Sequence, residues 1–121
     1  MFKLLKMSEE TISKLSQRVG YTKDKNCNGC GSGWNAKIVP DTIFFLDIRP
    51  ICCRHDDRYK IGGSKEDKEI SDKEFFDNLI TAVESVDKWY YPTKLARNRC
   101  MTYYSAVKDH GDEAFNYKDK K

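Results

Sequence analysis

At 121 residues and 14.1 kDa, the chain is long enough for one domain with a compact core and too short for two. Its 22 basic and 19 acidic residues give a net charge of +3, and the basic residues are scattered among the acidic ones. This balance argues against nucleic acid as a partner, although a mild attraction to anionic lipid headgroups is compatible with it. We expect a single domain over residues 1–121 that acts as a monomer.

Residues 4–19 predict a first helix, because apolar residues recur at roughly helical spacing and Gly20 follows as a stop signal. The apolar start is too short for a signal peptide, and no stretch approaches the length of a membrane span. We therefore expect a chain that is cytoplasmic until release, or secreted by a route without a signal peptide. Alternatively, Phe2, Leu4 and Leu5 form a lip that touches a membrane surface.

A glycine-rich loop follows over residues 22–33, with Gly29, Gly31 and Gly33 at alternate positions. This spacing lets the backbone turn, so that several carbonyl or amide groups converge on one point. Converging carbonyls suit a calcium ion and a facing amide suits a developing oxyanion, although most loops of this kind are only turns. Residues 34–48 lack a clear period and predict a buried turn or short strand, or alternatively the apolar rim of an acyl-chain pocket.

The central helix is predicted from about Pro50 to about Ile61, where two glycines end it. Steps of three, one and three place four of its side chains along one side: Cys52, His55, Asp56 and Tyr59. Burying an imidazole, a carboxylate and a phenol together costs desolvation, so packing alone does not account for the arrangement. Because the imidazole can move a proton near neutral pH and the carboxylate is a hard cation ligand, catalysis is the leading hypothesis.

A second long helix is predicted over residues 65–88, with Ser64 as its N-cap. Its apolar stripe consists of Phe75, Phe76, Leu79, Ile80, Val83 and Val86. Asp72 lies one turn before this stripe. A carboxylate on a buried face needs a partner; without one its pKa rises and it takes up a proton. The short connection favours antiparallel packing against the helix of His55; the alternative is that Asp72 lies at the edge of the stripe and reaches water.

A third helix is predicted from about Thr93 to the residue before Gly111. Its tyrosines are most simply core residues with hydrated hydroxyls, although one of them could hydrogen-bond Asp72. The core of the domain would then span residues 22–110, and residues 112–121 would form a flexible tail.

Three motifs in this order resemble the phospholipase A2 family. The family's helix of cysteine, histidine, aspartate and tyrosine is matched by Cys52-Cys53-Arg54-His55-Asp56-Asp57-Arg58-Tyr59. Its calcium loop is similar to Cys30-Gly31-Ser32-Gly33, and the aspartate and phenylalanine of its second helix are similar to Asp72-Lys73-Glu74-Phe75. The match covers about residues 27–80 and resembles most the compact forms carried by bacteria and their phages.

The resemblance implies an all-α, phospholipase A2-like domain in which two antiparallel core helices carry the histidine and the aspartate. A calcium loop and flanking N- and C-terminal helices complete the implied fold. The implied activity is calcium-dependent hydrolysis of the sn-2 ester of phospholipids at a membrane surface, which releases a fatty acid and a lysophospholipid.

The resemblance also implies a role for each matched residue. His55 would be the general base for water, and Asp72 would orient its ring. Tyr59 would hydrogen-bond the Asp72 carboxylate, and the Gly31 amide would stabilise the oxyanion. Ca²⁺ would be held by the Asp56 carboxylate and by loop oxygens. Those oxygens would be the carbonyls of Gly29, Gly31 and Gly33, or, in the compact pattern, the Asn28 side chain and the Gly29 carbonyl.

The five cysteines leave a rival interpretation open. Only Cys30 with Cys52 matches a disulfide position of the family, and Cys27, Cys53 and Cys100 have no partner by that match. Cys27, Cys30, Cys52 and His55 also have the spacing of a structural zinc site, which would make a non-enzymatic, zinc-stapled interaction module. Zinc would leave Asp56, Tyr59 and Asp72 without a role. A third possibility is an inactive, membrane-binding protein with the same fold.

Overall fold

The computed structural model describes residues 4–15, 40 and 42–118. Within these ranges three long helices form the body of the protein, and the middle one packs against both others. In chain order the elements are β1 (Leu5–Lys6), α1 (Glu9–Lys14), β2 (Thr42–Ile43), β3 (Leu46–Asp47), α2 (Arg49–Ile61), α3 (Lys65–Glu84) and α4 (Thr93–His110). The most deeply buried apolar side chains lie where the long helices and the short sheet meet: Ile43, Leu46, Ile48, Ile51, Leu79, Val83 and Val107.

The junction between α2 and α3 follows from local sequence. Helix α2 ends at Gly62, whose φ of 71° disfavours any residue with a side chain, and Gly63 continues with φ of 137°. Helix α3 then begins with a capping box, in which the side chain of Ser64 accepts from the Asp67 amide and the Asp67 carboxylate accepts from the Ser64 amide. These two devices reverse the chain within three residues.

Helices α2 and α3 run antiparallel. His55 packs its ring on Phe75, with centroids 4.6 Å apart, and Tyr59 lies under the ammonium of Lys68. Since the later residue of α2 meets the earlier residue of α3, the two helices have opposite directions. This antiparallel arrangement of the core helices was expected from the sequence.

The small sheet has the order β1-β3-β2. Strand β1 is parallel to β3, and β2 is antiparallel to it through a two-residue turn at Phe44 and Phe45. Both turn residues have positive φ, 46° and 69°, as type I′ hairpin turns require. The hydroxyl of Tyr91, just before α4, donates to the Ile43 carbonyl, and that of Tyr103, on α4, donates to the Thr42 carbonyl. These two bonds hold the hairpin against α4 and the segment that precedes it.

Two sequence expectations about the elements need correction. The helix expected over residues 4–19 is replaced by β1 and a six-residue α1, and its residues 16–19 lie outside the described ranges. Helix α3, expected over roughly residues 65–88, ends at Glu84. The described chain is mainly helical, in agreement with the expected class, and it adds three strands that are too short to show an alternating pattern. The hairpin fulfils the expectation of a short strand or turn within residues 34–48.

The segment after α4 also differs from expectation. The sequence predicts a flexible tail from residue 112, whereas residues 112–118 pack against the α2–α3 junction. Phe115 is buried, and the Gly63 amide donates to the Asn116 carbonyl while the Lys118 amide donates to the Gly63 carbonyl. None of the described helices is both long enough and apolar enough to cross a membrane.

Candidate functional site

Helix α2 places the candidate base in the interior. Pro50 occupies its first turn, where a missing amide proton costs nothing, and the Asp47 carboxylate accepts from the Arg49 amide at 3.0 Å. From this start, one helical face carries Cys52, His55 and Tyr59 into the core, where their exposed fractions are only 2–3%. Asp56, beside them in sequence, is half-buried.

A hydrogen bond joins the two helices at the centre of the site. His55 Nε2 lies 2.9 Å from Asp72 Oδ1, and the Tyr59 hydroxyl donates to the same oxygen at 2.6 Å. Asp72 is 2% exposed, so it lies inside the protein and not at a wet edge of the α3 stripe. The structure thus brings His55, Asp72 and Tyr59 together, as the sequence predicted.

The Asp72 carboxylate remains ionised in spite of its burial. Burial alone would raise the pKa of Asp72, but hydrogen bonds from three side-chain donors outweigh it and hold the pKa below its ordinary value. Burial, and then the negative charge of Asp72, raise the pKa of Tyr59, so its hydroxyl stays protonated and donates. The imidazole therefore faces a permanent negative charge.

The ring of His55 is fixed by packing as well as by its hydrogen bond. Its centroid lies 4.3 Å from the ring of Tyr59 and 4.6 Å from that of Phe75. With Nε2 directed at a carboxylate that can only accept, Nε2 carries the proton in the neutral ring and Nδ1 does not. This is the tautomer that a general base working through Nδ1 needs.

The third donor to Asp72 is Lys68, which sequence analysis did not select. Its ammonium lies 2.8 Å from Asp72 Oδ2, and its side chain is 6% exposed. Lys68 precedes Asp72 by one helical turn, so extending the α3 stripe backwards by a second turn would have reached it. A lysine four residues from an aspartate is usually a solvated surface pair, and contacts with α2 and with the last turn of α4 bury this one.

The expected calcium ligands divide between described and undescribed residues. Asn28, Gly29, Gly31 and Gly33 lie outside the described ranges, so their expected convergence on Asp56 remains a prediction. Within the residues that the structure describes, no three metal-ligating side chains of the histidine, cysteine or carboxylate type come together. Asp56 follows His55 in sequence and is half-buried, and its carboxylate is a hard oxygen donor of the kind that calcium prefers.

The cysteines of α2 are oxidised. Cys52 and Cys53 are both disulfide-bonded, although the resemblance offered no partner for Cys53. Cys27 and Cys30 lie outside the described residues. Cys100 is a free, buried thiol, and burial raises its pKa to about 12, which is typical of an inert core residue.

Comparisons with known proteins add no family assignment: no protein-family profile, no curated protein and no solved structure matches this chain.

Proposed function

We propose that this protein hydrolyses the sn-2 ester of phospholipids at a membrane surface, with calcium as its cofactor. One observation carries the proposal, the buried hydrogen bond between His55 Nε2 and Asp72 Oδ1. A histidine oriented by an ionised carboxylate is the usual arrangement of a general base. The two residues belong to separate motifs that each resemble the phospholipase A2 family, which supports this reaction over other hydrolyses.

In the proposed reaction the proton moves at His55 Nδ1. This nitrogen takes a proton from a water molecule as the water attacks the ester carbonyl, and it later returns the proton to the leaving alkoxide. The imidazolium formed in between is stabilised by the Asp72 carboxylate through Nε2. Because the pKa of Asp72 is lowered, the carboxylate holds its negative charge and leaves the proton on the ring.

The residues that would hold calcium are Asp56 and oxygens of the loop at residues 28–33. When bound there, calcium would supply positive charge for the ester carbonyl and for the oxyanion that develops from it. Asp56 follows His55 directly on α2, so the proposed cation ligand and the proposed base are fixed by the same rigid element.

The zinc-stapled alternative is opposed by one observation. A disulfide-bonded Cys52 carries no thiolate, and zinc needs the thiolate as its ligand. The inactive, membrane-binding alternative keeps the same geometry and is separated from the proposal only by an activity assay.

The test uses vesicles of a phospholipid whose sn-1 and sn-2 acyl chains differ, with calcium or with a chelator. We expect release of the sn-2 fatty acid with calcium only. His55→Gln should lower the rate by roughly 10²–10⁴-fold without changing the far-ultraviolet circular dichroism. His110→Gln, which alters the exposed histidine at the end of α4, is the matched control and should retain the rate.

A second variant tests the cofactor. Asp56→Lys should abolish calcium binding in titration calorimetry and hydrolysis together, because it replaces the proposed ligand by a like charge. Vesicle binding without hydrolysis by the unmodified protein would favour the inactive alternative. Unfolding of His55→Gln with release of zinc would refute the enzymatic proposal.

A further inference from the structure

The carboxylate of Asp72 is held from two sides. His55 and Tyr59 both bind its Oδ1, whereas Oδ2 accepts from the Lys68 ammonium at 2.8 Å. The terminal torsion of an aspartate is soft, so bonds to Oδ1 alone would leave the carboxylate plane free to swing about that oxygen. The bond to Oδ2 removes this freedom and so fixes the direction in which Oδ1 meets the imidazole.

Lys68 is itself fixed by the last turn of α4. Its ammonium donates to the carbonyls of Val107 and Lys108, each at 3.3 Å, and Asp112 lies 3.8 Å away. An ammonium has three protons, and these carbonyls together with Asp72 Oδ2 account for all three. The carbonyls belong to the negative end of the helix dipole, which favours a cation at this place.

Tyr59 touches the same turn. A Cβ built on Gly111, which caps α4, would lie only 2.5 Å from the Tyr59 hydroxyl oxygen. The glycine therefore lets the end of α4 approach the phenol closely. Both donors to Asp72 other than His55 are consequently in contact with one element, the C-terminal end of α4.

We propose that Lys68 is a positioning residue for the catalytic dyad, through which the C-terminal end of α4 fixes the orientation of Asp72 and hence of His55. The role rests on the proposed function, in which His55 is the base. In this role Lys68 acts through Asp72, whose Oδ2 accepts from its ammonium. Removing its ammonium lowers the rate of the chemical step and leaves substrate binding unchanged, because the change reaches the reaction through the orientation of the imidazole.

The kinetic test compares Lys68→Met with a matched control, Lys65→Met. Lys65 is an exposed lysine one turn earlier on α3. It lines a surface cavity that Lys68 and Asp72 also line, but it makes none of these contacts with Asp72. In the calcium-dependent vesicle assay we expect Lys68→Met to lower kcat by roughly 10- to 100-fold, as loss of an orienting partner does, with little change in KM. Lys65→Met should retain both constants.

A double-mutant cycle shows whether Lys68 acts through Asp72. In an Asp72→Asn background the carboxylate is absent, so adding Lys68→Met should change kcat by less than about twofold. An equal loss in both backgrounds, or an unchanged kcat in Lys68→Met alone, overturns the proposal. If Lys68→Met is too unstable to assay, Lys68→Gln replaces it, since the amide keeps a donor and removes the charge.

A spectroscopic measurement separates this proposal from the proposed function. The proton on His55 Nε2 should give a downfield NMR signal that is absent in His55→Gln. We expect Lys68→Met to shift or broaden this signal, while Lys65→Met leaves it in place. Lack of hydrolysis by the unmodified protein would refute the proposed function alone, and an unchanged signal in Lys68→Met would then refute the role of Lys68.

Discussion

The buried ion pair between Lys68 and Asp72 makes a stability prediction that can be measured without substrate. The two residues are 5% and 2% exposed, and the ammonium nitrogen lies 2.8 Å from the carboxylate oxygen. Removing one member leaves the other charge buried without its hydrogen-bonded partner at 2.8 Å, which costs about 3–5 kcal/mol. That is a fifth or more of the roughly 5–15 kcal/mol by which a small domain is stable.

The contacts indicate what each single substitution leaves behind. In Asp72→Asn the amide oxygen can still accept from His55 and Tyr59, but the amide nitrogen then faces the Lys68 ammonium, and two donors repel. In Lys68→Met the Asp72 charge keeps the His55 and Tyr59 donors but loses the ammonium. The Val107 and Lys108 carbonyls lose the Lys68 donor, although Val107 still accepts from the Gly111 amide. Each single variant should therefore lower the free energy of unfolding by about 3–5 kcal/mol.

The double variant, Lys68→Met with Asp72→Asn, removes both charges, so that neither is left buried without the other. Its loss in unfolding free energy should be smaller than the sum of the single losses by about 1–3 kcal/mol. The assay is urea unfolding followed by circular dichroism, with all proteins at one protein concentration and pH 7.

Helix α3 supplies a matched control pair. Lys73 and Asp77 have the same four-residue spacing and a 2.9 Å contact, but their side chains are more than half exposed. Their coupling in the same cycle should be close to zero, because water and salt screen an exposed pair. A coupling at Lys68 and Asp72 no larger than this would refute the reasoning that burial makes the pair strong.

Three further predictions concern acid, the end of α4 and the hairpin. Because the folded pKa of Asp72 is lowered, its stabilising contribution is present above its ordinary value of 3.8 and is lost as pH falls through the folded pKa. In Asp72→Asn the unfolding free energy should fall less steeply as the pH is lowered through this range, as measured by urea titrations at a series of pH values. An unchanged pH dependence would contradict the assignment. Gly111→Ala should lower the unfolding free energy by about 1–3 kcal/mol, because the new Cβ would crowd Tyr59; an unchanged melting temperature would count against it. Phe45→Gly should raise the unfolding free energy by about 0.5–1 kcal/mol, since φ of 69° suits glycine and the ring is half exposed; equal or lower stability in thermal unfolding would refute this.

The helices that carry the candidate site were predictable because local residues mark their ends. Pro50 marks the start of α2, and the glycine pair after Ile61 marks its end. Ser64 with Asp67 starts α3 through a capping box that depends only on neighbouring residues. Between such signals, helical spacing placed His55 and Tyr59 on one side of α2. For Asp72 the spacing left a water-exposed edge position open, and the expected packing against α2 favoured burial.

The first helix and the sheet were not predictable in the same way. The apolar residues near the N-terminus fit a helix, yet Leu5 pairs with Leu46, a partner forty-one positions away in sequence. Strands of two residues carry no alternating pattern, and the turn between β2 and β3 has two phenylalanines where Asn-Gly would be the usual signal. Tertiary pairing overrides local propensity at these positions.

Lys68 shows that the burial of polar residues on one helix can depend on the helices that pack against it. Along α3 the positions 68, 72, 75, 79 and 83 are all buried, so the stripe continues past its apolar part into an ammonium and a carboxylate. Seen on α3 alone, these two look like an ordinary surface pair at four-residue spacing. They become interior because α2 brings His55 to one oxygen of Asp72 and the end of α4 brings carbonyls to Lys68. At the polar end of the stripe, three helices therefore share one hydrogen-bonded network. A substitution within this network, on any of the three helices, should change the hydrogen bonding of the imidazole.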